Sequence, residues 1–560
     1  MHTKRIAVDA DHGLTCLAMC ALTLTLALAG CGNDRGNAGG EGVGAGVGAG
    51  GGQAGANGGA AGRVGAADGD EAEPRDNSGD DFEAVGVNPF VMTAHDPRST
   101  FAADVDTASY DIFRRDVLAG VKPRPESVRL EEFVNYFSYD YDAPAHDADE
   151  PFVVRLGAAP SLSSTNRTIL GVGIQGKDAP PAEERRAANV VFLVDVSGSM
   201  NSGSKLGLVK TVLKETLTVL EPDDRVAIVT YAGNTSVRLE STPVSQSAEI
   251  VGVLDSLDAG GSTRGAEGIQ LAYLQAEGNF IEGGVNHVIL CTDGDFNVGV
   301  SDTAGLLDLI REKRRSGVTF TALGFGMGNL NDSMLEAVSN AGNGMYGVIT
   351  DEDQAIDYVH DRMLGNLTLI AKDMKIQVWF NPEHVVAYRL LGYENRDIAD
   401  HDFRNDAVDA GEVGAGHTVT ALYELVLRGD GDDAGPPTPD GAPAVDDGEA
   451  FDGELQMDLA ELVRVMIRHK DVDATEQDAA HEIQHALLPA DVAAVVEDLR
   501  PDFRFAAAVA DLAELLKGSP FVSVQALGSV RATVAELAGA DPDRLELVDL
   551  IDRLAVIIGE

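Results

Sequence analysis

Cysteine, tryptophan and positive charge are all scarce in this chain of 560 residues. It contains four cysteines and one tryptophan, and its 42 lysines and arginines stand against 91 aspartates and glutamates. The formal net charge of -49 repels phosphate backbones and anionic membrane surfaces, which argues against nucleic acid as a partner. So few cysteines also exclude a scaffold built on disulfides, and the fold must therefore depend on its hydrophobic cores.

A hydrophobic run long enough to cross a membrane is also missing. The apolar stretch near the start reads LTCLAMCALTLTLALAGC, and its short length and small terminal residues are typical of a signal peptide. Its last four residues, LAGC, resemble the lipobox of bacterial lipoproteins, in which the cysteine is acylated and becomes the mature N-terminus. The resemblance predicts a signal peptide over residues 1–31 and a lipid anchor at Cys31. An ordinary signal peptide or a retained anchor is the alternative.

Removal of this segment would leave few thiols. Cys16 and Cys20 would be lost with the signal peptide, and the sulfur of Cys31 would carry lipid. Cys291 would then be alone, so we expect no intramolecular disulfide. Gly32 stands where a retention aspartate would mark an inner-membrane lipoprotein, so the resemblance favours the outer membrane or a periplasm-facing location in the cell envelope over the cytoplasm.

Composition divides the rest of the chain into two polar segments and several folded ones. Residues 32–85 are rich in glycine, alanine and then acidic residues, and we expect a disordered tether there because such a segment buries too little apolar surface to fold. The acidic stretch 429–454 predicts a disordered insertion. The folded segments are an N-terminal region with two short helices (86–145), β-strands (146–187), an α/β domain (188–365), further β-strands (366–428) and a helical C-terminal region (455–560).

Strands and helices alternate regularly from residue 188 onwards. Continuous apolar strands between amphipathic helices predict a Rossmann-like, doubly wound α/β domain with a mainly parallel sheet. We expect the strands before and after this domain to pair with each other. The α/β domain would then be inserted in a small β-sandwich, with the N-terminal helices and a C-terminal helical bundle around it.

Oxygen-bearing side chains follow two strands of this domain. The stretch VVFLVDVSGSM places Asp195, Ser197 and Ser199 just after a buried strand, Thr263 lies in a downstream glycine turn, and Asp293 ends another strand. In open α/β sheets the ligand site lies beyond the carboxyl ends of the strands, so we expect these residues to share one edge. Hydroxyl and carboxylate oxygens suit Mg²⁺, or Mn²⁺, rather than zinc.

Residues 188–365 resemble a von Willebrand factor type A domain, and Asp195, Ser197, Ser199, Thr263 and Asp293 match its metal-ion-dependent adhesion site. The resemblance implies that the three hydroxyls are direct ligands and that the two aspartates bind directly or through water. It also implies a protein partner that presents an acidic side chain to the metal. Blocks such as STFAADVDTASYDIFRRDVLAG and VRLEEFVNYFSYDY extend the resemblance to a family of bacterial lipoproteins in which this domain has dedicated flanking regions.

Several other interpretations of these motifs remain open. The serines could merely cap the next helix. The sequence HEIQH fits the HExxH pattern, in which His481 and His485 on one helix face bind zinc and Glu482 acts as general base, and this would make a metallopeptidase. We favour a binding protein without enzymatic activity. A scaffold or chaperone-like subunit for the assembly of envelope complexes is the alternative, and it would co-purify with a fixed partner.

Overall fold

The computed structural model describes residues 79–164, 166–262, 265–294, 303–363, 365, 367–406, 408, 410–429, 435–474 and 478–559. The predicted signal peptide and Cys31 lie outside these residues, as do most of the predicted tether and Thr263 of the predicted metal site. Within the described part of the chain, none of the helices combines the length and the apolar character needed to cross a bilayer.

The strands of the described residues are β1 (Val91–Met92), β2 (Arg98–Ala102), β3 (Phe152–Pro160), β4 (Thr168–Gly176), β5 (Ala188–Asp195), β6 (Arg225–Tyr231), β7 (Thr235–Pro243), β8 (Val285–Thr292), β9 (Val318–Phe325), β10 (Tyr346–Ile349), β11 (Leu369–Phe380), β12 (Val385–Leu391), β13 (Gly411–Gly414), β14 (Thr418–Leu427), β15 (Val463–Lys470) and β16 (His481–Leu487). The helices are α1 (Ala108–Leu118), α2 (Leu130–Val134), α3 (Lys205–Val219), α4 (Ser247–Asp255), α5 (Gly265–Gly278), α6 (Thr303–Arg314), α7 (Asp332–Ala341), α8 (Glu352–Asp357), α9 (Pro501–Lys517), α10 (Leu527–Leu537) and α11 (Pro542–Ile558).

The α/β domain is built on a six-stranded sheet in the order β10-β9-β8-β5-β6-β7. Neighbouring strands run parallel except β7, which lies antiparallel to β6 at the edge. Helices α3 and α4 cover one face, and α5, α6 and α7 cover the other. Since helices bury both faces of a mainly parallel sheet, the predicted doubly wound α/β fold is confirmed.

The central position of β5 in the sheet explains why the sequence of this strand is continuously apolar. All of its residues are buried. Val190, Phe192 and Val194 pack with the α3 side, whereas Val191 and Leu193 pack with the opposite helix layer. Successive side chains of a strand point to opposite faces, so a strand at the centre of a covered sheet needs apolar residues at every position.

Two antiparallel sheets form the predicted β-sandwich. One has the order β1-β12-β14-β4-β3, and the other has the order β13-β11-β15-β16, with β2 also paired to β11. Their inner faces share one core, which includes Val172 and Ile174 of β4 and Ile376 and Val465 of the facing sheet. Because β3 and β4 precede the α/β domain and β11 to β16 follow it, that domain is inserted in the sandwich. Strands β1 and β2 come from the N-terminal region, where the sequence predicted only helices.

Helices α9 to α11 pack with α1 and α2 against the outer face of the β3–β4 sheet. Glycines in β4 make this contact close: a Cβ on Gly171 would lie 2.4 Å from Cδ1 of Phe503, and one on Gly173 would lie 2.6 Å from Cζ of Tyr141. The aromatic rings therefore rest directly on the backbone of the sheet, which a larger residue at either position would prevent.

A buried ionic network joins the N-terminal region to the other parts. Arg396 binds Asp104 and Asp106, with nitrogen–oxygen distances of 2.9 Å to both. Arg129 binds Glu132, and Asp104, Asp106 and Glu132 together lie close enough to reach one ion. Arg396 and Arg129 between them pair with all three carboxylates, so the cluster serves as a structural joint.

Two segments predicted to be disordered contain ordered contacts, which corrects both predictions. At the end of the predicted tether, Asp80 and Phe82 are buried against the α/β domain. In the predicted insertion, the backbone N–H of Asp446 donates to Phe90 O at 2.8 Å, and the ring of Phe451 lies 6.0 Å from that of Trp379. Phe82 is buried and Phe451 is partly buried, and this burial offsets part of the entropy lost on ordering.

The sequence predicted a helical region over residues 455–560, but only the second part of this region is helical. Its first part forms β15 and β16, which pair antiparallel and complete the second sheet. The backbone of β15 needs a hydrogen-bonding partner on each side, and residues 481–487 supply one of them. Among the described residues of this region, the first α-helix begins at Pro501.

Candidate metal site

The predicted metal-binding residues lie at the carboxyl edge of the parallel sheet. Strand β5 ends at Asp195, and its parallel neighbour β8 ends immediately before Asp293. Ser197 follows β5 as the N-cap of a 3-10 helix, Gly198–Ser204, which contains Ser199 and leads into α3. Because the strands run in the same direction and end together, the fold brings these four residues to one rim.

Short hydrogen bonds hold three of the four residues together. Oδ1 of Asp195 accepts from the backbone N–H of Ser197 at 2.7 Å, and the hydroxyl oxygens of Ser197 and Ser199 are 2.9 Å apart. The other oxygen of Asp195, Oδ2, accepts from the hydroxyl of Thr292 at 3.2 Å. Thr292 was not among the predicted residues, although its place beside Asp293 in the TDG sequence is a usable signal.

Burial makes the two carboxylates electrostatically costly. Asp195 and Asp293 are 0% and 1% exposed. Burial raises the pKa of Asp195 to about 6, the negative charge of Asp293 adds to this increase, and hydrogen bonds from Ser197 oppose it. A positive charge between these groups would therefore stabilise their ionised forms.

A glycine loop leads from the α4 side towards the predicted ligand Thr263, which itself lies outside the described residues. The backbone N–H of Gly260 donates to Val196 O at 2.7 Å, and Gly261 O accepts from Gly198 N at 3.1 Å. Gly261 has a φ of +104°, which favours glycine. The structure therefore brings the start of this loop against the turn that carries Ser197 and Ser199.

A buried lysine, which is not among the residues predicted from the sequence, completes the site. The ammonium of Lys205, the first residue of α3, lies 3.2 Å from Oδ2 of Asp293 and 2.6 Å from Oδ1 of Asn329. Its side chain is only 5% exposed. A lysine at a helix start is common on protein surfaces, so no local pattern distinguishes this one.

The chemistry of these side chains fits a hard divalent cation. Asp195, Ser197, Ser199 and Asp293 offer only oxygen, and two of them are buried carboxylates, of which Asp293 is paired with the ammonium of Lys205. Mg²⁺ and Mn²⁺ prefer such oxygen ligands. These four residues could hold the ion, and Thr292 would orient Asp195 from behind.

The alternative zinc site is contradicted by the structure. Residues 481–487 form β16 rather than a helix, and His481 pairs across to His469 of β15. In a strand, residues four apart are separated by roughly 13 Å, which is too far for two histidines to bind one zinc ion. Glu482 instead forms an ion pair with Arg404 at 3.0 Å. The HEIQH sequence therefore does not form a zincin site.

Comparisons with known proteins agree with this architecture. The family model for the von Willebrand factor type A domain matches residues 189–361, one described as von Willebrand factor matches 76–170, and one described as uncharacterized protein YfbK, C-terminal, matches 365–557. The uncharacterized protein YfbK of Escherichia coli (strain K12) is 38% identical over 478 residues, which cover 84% of this chain and 80% of that protein. The chain belongs to the YfbK family. The predicted resemblance to a bacterial family with this domain is confirmed.

Two further similar proteins match a smaller part of the chain. Inter-alpha-trypsin inhibitor heavy chain H4 of Homo sapiens is 30% identical over 208 residues, which are 34% of this chain and 22% of that protein. A solved structure of a von Willebrand factor type A protein from Catenulispora acidiphila is 14% identical, with a TM-score of 0.41 over 74% of this chain and 91% of that one. Von Willebrand factor type A domains mediate protein–protein interaction or adhesion and commonly bind a divalent metal, so this YfbK-family chain contains a domain of the binding type.

Proposed function

We propose that this chain is a lipid-anchored protein of the cell envelope that binds a partner protein through a divalent cation, without catalysing a reaction. The observation that carries the proposal is the convergence of Asp195, Ser197, Ser199 and Asp293 at one rim of the sheet. The LAGC sequence supports an anchor at Cys31. The excess of acidic residues argues against nucleic acid as the partner, because it repels phosphate groups.

Each residue would have a separate part in binding. A bound Mg²⁺ or Mn²⁺ would supply the positive charge that an acidic side chain of the partner recognises. Asp195 is kept in orientation by the Ser197 N–H and by Thr292. Ser197 and Ser199 contribute neutral oxygens, so Asp195 and Asp293 are the negative ligands, and the ammonium of Lys205 beside Asp293 would leave a net positive charge for the partner's carboxylate. Thr263 is the proposed fifth ligand, as the family resemblance implies.

Calorimetric titration of the full chain with Mg²⁺ tests the metal site. We expect Ser197→Ala to weaken Mg²⁺ binding on the order of 10–100-fold or more, because it removes a ligand oxygen. Ser256→Ala is the matched control, since Ser256 is an exposed serine just after α4 whose hydroxyl donates to Val253 O at 2.7 Å. Equal Mg²⁺ affinity of both variants and the unchanged chain would contradict the proposed site.

Recovery of partners from envelope extracts tests the binding role. We expect partner proteins to be retained in Mg²⁺, released by EDTA and absent with Asp195→Ala. Equal recovery under all three conditions would contradict cation-mediated recognition. Membrane fractionation of Cys31→Ala tests the anchor, and we expect this variant to leave the membrane fraction.

A further inference from the structure

The environment of Lys205 shows that the fold is built to hold its ammonium beside the metal site. Burial of an ammonium is costly unless it is paired, and Lys205 is paired twice, with Asp293 at 3.2 Å and with Asn329 at 2.6 Å. Gly326 provides the space for its stem. A Cβ on Gly326, which has a φ of +84°, would lie 2.6 Å from Cε of Lys205.

The loop that holds Lys205 is fixed in turn by residues 79–82, which we call the N-terminal strap. Oδ1 of Asp80 accepts from the backbone N–H of Gly328 at 2.7 Å and of Leu330 at 2.9 Å. These two amides flank Asn329, the partner of Lys205. The other oxygen of Asp80 lies 2.8 Å from Nη2 of Arg115, so this buried carboxylate has a cationic partner, which it shares with Asp116.

Further contacts keep the strap in place along its length. The backbone N–H of Asp81 donates to Leu330 O at 2.7 Å, and Asp81 O accepts from Asp332 N at 3.1 Å. Phe82 is buried in the core of the α/β domain, with the guanidinium of Arg124 5.0 Å from its ring centroid. A continuous chain of contacts therefore runs from the strap through the loop at Asn329 and Lys205 to Asp293.

We propose that Lys205 is an internal counter-ion of the cation site and that the N-terminal strap sets how firmly it is held. This inference rests on the proposed function and concerns the regulation of the same site. Counted over three described groups, the carboxylates of Asp195 and Asp293 and the ammonium of Lys205, the net charge is -1, and a divalent cation brings it to +1. The same cation beside the two carboxylates without Lys205 would give a net charge of zero. Lys205 therefore weakens cation binding and strengthens the attraction for an acidic partner.

The position of the strap in the sequence connects the control of Lys205 to the N-terminal segment. It lies at the end of the segment that, in sequence, follows the proposed anchor at Cys31. A change that pulls the strap from the loop would loosen Asn329 and Lys205, raise the affinity for the cation and lower the affinity for a carboxylate partner.

Titration of the full chain with Mg²⁺ alone tests the counter-ion. Lys205→Met keeps an unbranched side chain one atom shorter and removes its charge, and we expect Mg²⁺ to bind on the order of tenfold more tightly or better. Lys210→Met is the matched control, because Lys210 lies on the same helix and donates to Leu257 O at 2.8 Å, away from the carboxylates. Unchanged or weaker Mg²⁺ binding by Lys205→Met would overturn the inference, whereas absence of Mg²⁺ binding by the unaltered chain as well would overturn the proposed function itself.

A second variant tests the strap without depending on the folding of Lys205→Met. We expect Asp80→Ala to accelerate hydrogen exchange at the amides of Gly328 and Leu330, which lose their acceptor, and to tighten Mg²⁺ binding by less than Lys205→Met does. Unchanged exchange at both amides together with unchanged Mg²⁺ affinity would overturn the role of the strap.

Discussion

The guanidinium of Arg129 donates two hydrogen bonds to the carboxylate of Asp332, from Nη1 to Oδ2 at 2.6 Å and from Nη2 to Oδ1 at 3.1 Å. Arg129 precedes α2 in the N-terminal region, and Asp332 begins α7 of the α/β domain. Both are buried, at 1% and 0% exposure, and Arg129 also binds Glu132. This pair therefore joins two parts of the chain that lie about 200 residues apart in sequence.

Removal of the Arg129 charge tests the importance of this joint. We expect Arg129→Met to lower the free energy of unfolding by about 3–5 kcal/mol, because it leaves buried carboxylates without a counter-ion. Urea denaturation measures the change. Arg531→Met is the control, since Arg531 pairs with Asp552 on the surface, and its midpoint should match that of the unaltered chain. Equal midpoints for both variants would show that the buried pair adds no stability.

Asp106 predicts a dependence of stability on pH. Burial raises its pKa to about 8, with Asp104 adding to the increase and Arg396 opposing it. Its Oδ1 accepts from Tyr346 N at 2.8 Å, and Glu336 also faces it. Because the folded-state pKa exceeds the unfolded one, this group stabilises the fold fully below pH about 4, and the contribution falls as pH rises towards 8.

Asparagine at position 106 cannot titrate and should remove this slope. We expect the unfolding free energy of Asp106→Asn to decline less between pH 5 and pH 8, by up to about 1.4 kcal/mol for each pH unit. Urea denaturation at several pH values measures the difference. Asp308→Asn, at an exposed position of α6, should keep the original slope. The same slope in Asp106→Asn would contradict the assignment.

The contact between β4 and α9 depends on the absence of a side chain at Gly171. We expect Gly171→Ala to lower the unfolding free energy by about 1–3 kcal/mol, because its Cβ would lie 2.4 Å from the ring of Phe503. Gly252→Ala is the control of opposite sign. Position 252 lies inside α4 with no atom near the added Cβ, so alanine should stabilise the chain by about 0.5–1 kcal/mol. Thermal denaturation measures both changes, and tolerance of alanine at Gly171 would refute the close contact.

Cys291 should be unreactive while the chain is folded. It is a free, fully buried thiol of β8, and burial raises its pKa far above the usual value, which suppresses the reactive thiolate. We expect iodoacetamide to modify the peptide that contains Cys291 only after unfolding in urea. Mass spectrometry of that peptide follows the reaction without interference from other cysteines. Similar labelling rates with and without urea would show that β8 is accessible.

Sequence periodicity was sufficient to predict the fold of the α/β domain, because each of its strands and helices can be identified from neighbouring residues alone. The apolar run of β5 and the amphipathic helices beside it each identify one element, and connections of this kind can form only a few sheet arrangements. Asp195, Ser197 and Ser199 follow the same strand, so their proximity also follows from local sequence. The placement of Asp293 required only that β8 run parallel to β5.

Where the prediction was wrong, contacts between distant residues had decided the structure. The residues around His481 are compatible with a helix on local grounds, but they form β16 because β15 offers an unpaired strand edge. Asp80 belongs to a segment whose composition predicts disorder. Its carboxylate can be buried because it forms an ion pair with Arg115 and accepts hydrogen bonds from the amides of Gly328 and Leu330. These partners cannot be inferred from the residues next to Asp80.

The amino-acid sequence by itself determined the class of the fold, the insertion of the α/β domain and the oxygen-bearing residues at its rim, since each follows from short-range pattern and strand order. Only the tertiary structure decided that Lys205 faces Asp293 and that the N-terminal strap holds the loop at Asn329. The reason is physical: the cost of burying a charge depends on partners that folding brings from far along the chain.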